Sequence, residues 1–147
     1  MNRENILKRL MAEALELGAC GLLNGIGTEE FARLIETAQG REFCAAHDWP
    51  GTESLRGLEN DCLRGMGIIA ESCAVAGPGV YNVLITGKKT MVAVIMSGTA
   101  ALHHVVAVDG AEVMVYAGDY AVGSVEVSGT AKARIINTDG TARVRIV

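Results

Sequence analysis

Small apolar and polar residues alternate along the last third of the chain. Ala111, Val113, Val115 and Ala117 fall on one face of a strand, and Glu112, Met114 and Tyr116 on the other. The pattern repeats. Ala121, Gly123, Val125 and Val127 form the next inward row and Ala131, Ala133 and Ile135 the one after, while Val122, Ser124, Glu126, Lys132 and Arg134 take outward places. Turn pairs at Asp109-Gly110, Asp119-Tyr120, Gly129-Thr130 and Asp139-Gly140 set a ten-residue beat, extended upstream in eleven-residue steps by Gly87-Lys88 and Gly98-Thr99. In the last unit the phase slips by one, so Ala142, Val144 and Ile146 become apolar partners and Arg143 and Arg145 polar ones.

Two-residue hairpins would exchange the faces of a meander at every turn, whereas here parity holds through three units, which favours stacking in a solenoid over a meander with three-residue loops, the other arrangement that keeps parity. A rung of a single-chain solenoid needs roughly twenty residues or more. Each unit is therefore half a rung of a flattened roll, or one wall of a prism completed by other chains. The stretch from Met91 to Met96 is apolar on both faces, with Met91, Ala93 and Ile95 on one and Val92, Val94 and Met96 on the other. It needs cover on both sides. The helical half of the chain and a second subunit are the expected covers, which predicts a homo-oligomer, with a trimer as one candidate.

The first half reads as helical. Asn2 or Asn5 caps a helix with the stripe Ile6, Leu7, Leu10, Met11, Ala14 and Leu17, ended by Gly18. A loop from Gly21 to Gly27 follows. Thr28 is the expected N-cap of a second helix, with Glu29 and Glu30 in its first turn, Phe31, Leu34, Ile35 and Ala38 on its buried face, and Gly40 as its stop. A third helix is predicted from Arg41 to His47, broken by Trp49-Pro50-Gly51, with a further helical turn around Leu55 and Leu58. Strands begin near Ile68, and Pro78 and Gly79 separate the first from the repeats. The predicted fold is α+β: a helical region over 1–65 followed by a β-solenoid or β-helix-like stack over 66–147, packed as one domain.

The chain has 147 residues, half of them hydrophobic and only 4% aromatic, which suits a narrow stack with a core of small side chains. The start, Met1-Asn2-Arg3-Glu4, leads into an amphipathic helix without a long apolar core, so no signal peptide or membrane span is expected, and the expected location is the cytoplasm. Cys20, Cys44, Cys62 and Cys73 form no Cys-x-x-Cys pair, as reduced thiols would have it. The net charge of −4 argues against general nucleic-acid binding. That charge is uneven. Residues 1–77 hold seven Lys or Arg against twelve Asp or Glu, and residues 78–147 six against five.

With the slip allowed for, Lys132 is expected to stack on Arg143 and Arg134 on Arg145, placing four cations on one outward face. Such a cluster is either solvated surface in contact with Glu112, Glu126 or Asp139, or a grip for phosphate oxygens. Lys88 and Lys89, on an earlier turn, are turn solubilisers or further cations of that site. Trp49, Tyr116 and Tyr120 are the rings available to stack on a base, Trp49 being equally suited to plugging a core edge. Cys44 and His47 share a helix face, and His103 and His104 point to opposite faces of a strand, but no second ligand pair, catalytic triad, paired carboxylates or phosphate loop completes a constellation. The Gly65-Met66-Gly67 and Gly77-Pro78-Gly79 runs read as bends. No metal, cofactor or catalysis is expected.

Together with the helical head, Gly40-Arg41-Glu42-Phe43-Cys44, Leu63-Arg64-Gly65-Met66-Gly67-Ile68-Ile69, and the repeats carrying Ala111, Asp119-Tyr120-Ala121-Val122 and Ala131 give a layout that resembles small uncharacterised proteins encoded in phages and prophages of gut Bacteroidales. The resemblance implies a phage-associated, non-enzymatic, oligomeric β-solenoid protein. The function expected on this basis is sequestration of a small anionic ligand, such as a nucleotide immune signal, by Lys132, Arg134, Arg143 and Arg145 with Lys88, Lys89 and the three rings. A fibre-like assembly part without a small ligand is the alternative.

Overall fold

The computed structural model describes residues 2–19, 23, 25–77 and 82–147. Cys20, Pro78 and Gly79 lie outside the described residues, as does part of the loop expected from Gly21 to Gly27. Four helices, α1 (Arg3–Glu16), α2 (Thr28–Ile35), α3 (Ala38–His47) and α4 (Asn60–Gly65), precede nine strands among these residues. The strands are β1 (Ile68–Ile69), β2 (Cys73–Ala76), β3 (Val83–Thr86), β4 (Met91–Ser97), β5 (His103–Val108), β6 (Glu112–Gly118), β7 (Val122–Val127), β8 (Lys132–Asn137) and β9 (Arg143–Ile146).

Successive strands alternate between two parallel walls, one ordered β1-β3-β5-β7-β9 and the other β2-β4-β6-β8. The chain is a β-solenoid with a helical segment at its N-terminal side, and two of the short units make each rung. Met91 lies against Glu112 and Glu112 against Lys132 in one wall, His103 against Gly123 and Val122 against Arg143 in the other. Stacked residues are thus two sequence units apart. Between the walls the inward rows close on each other, with Val94, Val105, Ala107, Val115, Ala117, Ala121 and Val125 fully buried. Alanines and valines predominate in this space, with Ile69, Ile85 and Met96 packed among them.

The helices cover the outer face of the five-stranded wall, where Ile68, Leu84, Val106 and Val108 join Ile6, Leu7, Leu10, Phe31 and Leu63 in a second core. This corrects one expectation. The helical half does not cover β4; its outer face is open, with Met91 61% and Ile95 44% exposed.

Local chemistry explains the helix ends. The Asn2 side chain accepts the Asn5 N–H and caps α1. Gly27 rather than Thr28 is the N-cap of α2, which ends at Ile35; Thr37 then caps α3 by accepting the Gly40 N–H. Gly40 is therefore inside α3 and stops nothing. The stretch around Leu55 and Leu58 forms turns, and the short helix lies just beyond it, at α4.

Arg41, on α3, is fully buried. Its Nε donates to the Asn82 carbonyl at 2.8 Å, and its Nη2 donates to those of Met66 and Gly67 at 2.9 and 3.1 Å. One guanidinium thereby ties α3 to the exit of α4 and the entrance of β3. Burial lowers its pKa from the ordinary arginine value. On the turns, side-chain oxygens hold neighbouring rungs: Asp119 accepts the Ser97 hydroxyl, and Asp139 accepts the Asp119 N–H. The Thr141 hydroxyl, with the Asp119 and Thr141 N–H groups, holds the Asp139 carboxyl below its usual pKa.

Candidate functional site

The four cations of the last rung do not share a face. Lys132 and Arg134 stand on β8, in the four-stranded wall, in register with Glu112 and Met114; Arg143 and Arg145 stand on β9, in the other wall, beside Val122 and Ser124. The stacking of Lys132 on Arg143 and of Arg134 on Arg145 is overturned because consecutive units belong to opposite walls. None of the four side chains makes an ion pair or hydrogen bond among the described residues. Of the acidic partners foreseen for the cations, Glu126 is engaged by His104 and Asp139 by its own turn, while Glu112 lies in register beside Lys132.

Lys132 and Arg134 border a hollow of about 530 Å³ on the open outer face of the four-stranded wall. Met91, Ala93 and Met114 form its apolar floor, and Glu112 stands between Met91 and Lys132. Two residues further along each strand, Ile95, Tyr116 and Ile136 form an adjoining column, with Tyr116 39% exposed. The wall thus combines thioether and methyl surface with two cations on a single strand. That pairing suits an amphiphilic anion with a flat or apolar body.

Other expected site residues fall elsewhere. Lys88 and Lys89 line a separate hollow of about 440 Å³ with Glu53, Glu71 and Asp109. Tyr120 is 65% exposed on a turn, where its N–H donates to Thr141 Oγ1. Trp49 is unavailable to a base: it is buried, packs edge-on against Phe43 at 5.8 Å, and donates from Nε1 to Glu13 at 3.0 Å.

His103 points into the core and His104 outward. His104 Nδ1 lies 3.1 Å from Asn82 Oδ1 and its Nε2 3.2 Å from Glu126 Oε2, so both ring nitrogens are occupied. This cluster was missed in the sequence because its members lie in successive rungs: Asn82 directly precedes Val83, the register partner of Val105, and Glu126 lies two residues past Ser124, the register partner of His104. Doubling the unit would have placed Met91, Glu112 and Lys132 in one column.

Cys44 is buried, and burial pushes its thiol up to about 11 from an ordinary 9.0. Such a thiol is no nucleophile near neutrality. A thiol-exchange probe at pH 8 is expected to label Cys44 at least ~100-fold more slowly in the folded protein than in denaturant, from the loss of thiolate alone. Mass spectrometry of labelled peptides reads the difference; equal rates would refute the buried assignment. Folding keeps this thiol protonated, so its contribution to stability is complete below pH 9.0 and is lost as pH rises toward about 11.

Among the described residues no cluster of three or more metal-ligating side chains occurs, and no helix is long and apolar enough to cross a membrane. Comparison with protein-family models, with curated proteins and with solved structures finds no match to this chain.

Proposed function

We propose that the protein is a non-enzymatic binding protein that captures a small anion with a flat or apolar body, a nucleotide being the type case, on the outer face of its four-stranded wall. The observation that carries this reading is the hollow in which Lys132 and Arg134 stand beside Met91, Ala93 and Met114. Among the described residues neither cation makes an ion pair or hydrogen bond that an incoming phosphate would have to displace. The body of the ligand would lie on the methionines and reach Tyr116, while Glu112 disfavours ligands that carry charge along their whole length. Capture of this kind needs no turnover. It is the chemistry of sequestration, in keeping with the phage-type role expected from the sequence.

Titration calorimetry with a panel of mono-, di- and cyclic nucleotides tests the reading. Lys132→Ala and Arg134→Ala should each weaken binding about 10- to 100-fold, as loss of one charge-assisted hydrogen bond would. Arg143→Ala and Arg145→Ala, on the other wall, should change it less than about twofold. Binding that is absent throughout the panel, or equally sensitive to all four variants, would overturn it.

A second reading is favoured by Ile95, Tyr116 and Ile136, large apolar side chains left exposed on the same wall. In that reading the wall meets another copy and takes no small ligand. Native mass spectrometry separates the two: a stoichiometric adduct of nucleotide mass supports capture, and an adduct-free homo-oligomer that ignores added nucleotide supports assembly.

A further inference from the structure

We infer that Glu112 makes the hollow on the four-stranded wall selective for guanine, so that the ligand taken there is a guanine nucleotide. This selectivity rests on the capture proposed above and adds the base to it.

The hollow offers few groups with which to read a ligand. Its floor of Met91, Ala93 and Met114 is apolar, and β4 and β6 each lie between two neighbouring strands, which commits their backbone N–H and C=O groups to the ladders. Recognition therefore falls to side chains. Lys132 and Arg134 can only donate, and among the described residues that border the hollow Glu112 is the one carboxylate. Glu112 is exposed, and its side chain makes no ion pair or hydrogen bond among the described residues, so both oxygens are open to a ligand.

A flat ring lying on the methionines presents its polar edge to these groups. A carboxylate holds two acceptor oxygens side by side and has no proton to give, so its match is a pair of adjacent N–H donors. Among the common bases guanine has that pair, at N1 and at the 2-amino group. Adenine and cytosine set the amino group beside a ring nitrogen that accepts, and uracil sets N3–H between two carbonyls, so in each a lone pair would face one carboxylate oxygen. Guanine O6 follows the two donors on the same edge, and Lys132, in register with Glu112 and about 4.8 Å away across the strands, can donate to it. An ammonium has three N–H donors, which leaves others for a phosphate. Arg134 pairs with Met114 and so stands diagonally from Glu112, about 8 Å away by strand geometry, with room for a ribose between base and phosphate.

Calorimetry on the wild-type chain with the 5′-monophosphates of guanosine, inosine and adenosine isolates the base, because the three share sugar and phosphate. The hollow is open to water, so the lower end of the range for charge-assisted hydrogen bonds applies: the adenosine compound should bind about tenfold more weakly than the guanosine one. Inosine keeps N1–H but lacks the 2-amino group and should fall between them. In Glu112→Gln the advantage of guanosine should shrink below about threefold, since one of the two acceptors becomes a donor. Adenosine monophosphate should bind this variant no more weakly than wild type, because a negative charge near its phosphate has gone, and that retained affinity shows the variant to be folded. Equal wild-type affinities for guanosine and adenosine, a variant that keeps the preference, or one that weakens all three alike would overturn the role of Glu112 and leave capture standing. Absence of binding by all three to the wild-type chain would overturn capture and the selectivity with it.

Discussion

Arg41→Met should destabilise the fold by about 3 kcal/mol or more, because three backbone carbonyls lose a charged donor inside the protein. Methionine follows the arginine stem only to the ε position and leaves the place of the guanidinium empty, so the loss combines hydrogen bonds with a small cavity. The Met66 carbonyl is buried and would lose its donor outright, whereas those of Gly67 and Asn82 are half-buried and the Gly67 carbonyl also accepts the Leu84 N–H. Two of them close the C-terminal end of α4, where a positive charge also offsets the helix dipole. For a domain of this size the change corresponds to a fall in melting temperature of about 6 to 12 °C. Arg41→Lys should recover less than half of the loss, because an ammonium cannot span three acceptors that the planar guanidinium reaches from two nitrogens. Calorimetric melting of the three proteins checks the order. A methionine variant as stable as wild type would remove the clamp from the account of the fold.

The second large effect has a sign that helix propensity would get wrong. Gly40 is inside α3, where alanine is the better helix former by about 1 kcal/mol. Yet Gly40→Ala should destabilise, by about 2 kcal/mol net. A Cβ at Gly40 would fall 2.6 Å from the Ile35 carbonyl oxygen and still closer to that of Leu34. Those are backbone atoms at the end of α2, and moving them opens the elbow between α2 and α3 on which Phe31, Ile35 and Cys44 pack. Urea unfolding measures the change, and an alanine variant of equal or greater stability would show that the elbow yields without cost.

The sequence made the inward face legible but not the wall. Alternation in Ala111 to Ala117 tells which side chains are inside, because burial and strand geometry share a period of two. Nothing in that period says whether the next strand returns beside the last one or crosses to the opposite sheet; turn conformation decides this. Hence Lys132 and Arg143 were expected to stack and stand on different walls. Gly40 was misread for a related reason. Glycine marks both helix ends and close backbone approaches, and only the neighbouring chain tells the two apart. Arg41 gave no local sign, since arginine is ordinarily exposed and the carbonyls that draw it inside are 25 to 41 residues away. By contrast the Asn2 cap and the stripe of α1 depend on near neighbours and were readable directly. Of the site, Lys132, Arg134 and Tyr116 were foreseen; the methionine floor was not, because its members are separated by whole rungs.

The turn carboxylates bear on the order in which the chain can be completed. Asp119 holds Ser97, and Asp139 holds Asp119, so the closing bond of each of these two turns is supplied by a residue about one rung later, whereas the Asp109 N–H is taken by Asp48 from earlier in the chain. During synthesis at about 5 to 20 residues per second, a turn leaves the ribosome without its fastener and waits roughly 1 to 4 seconds for it. At these two turns closure therefore trails elongation by one rung, while the Asp109 turn meets its fastener, Asp48, already made.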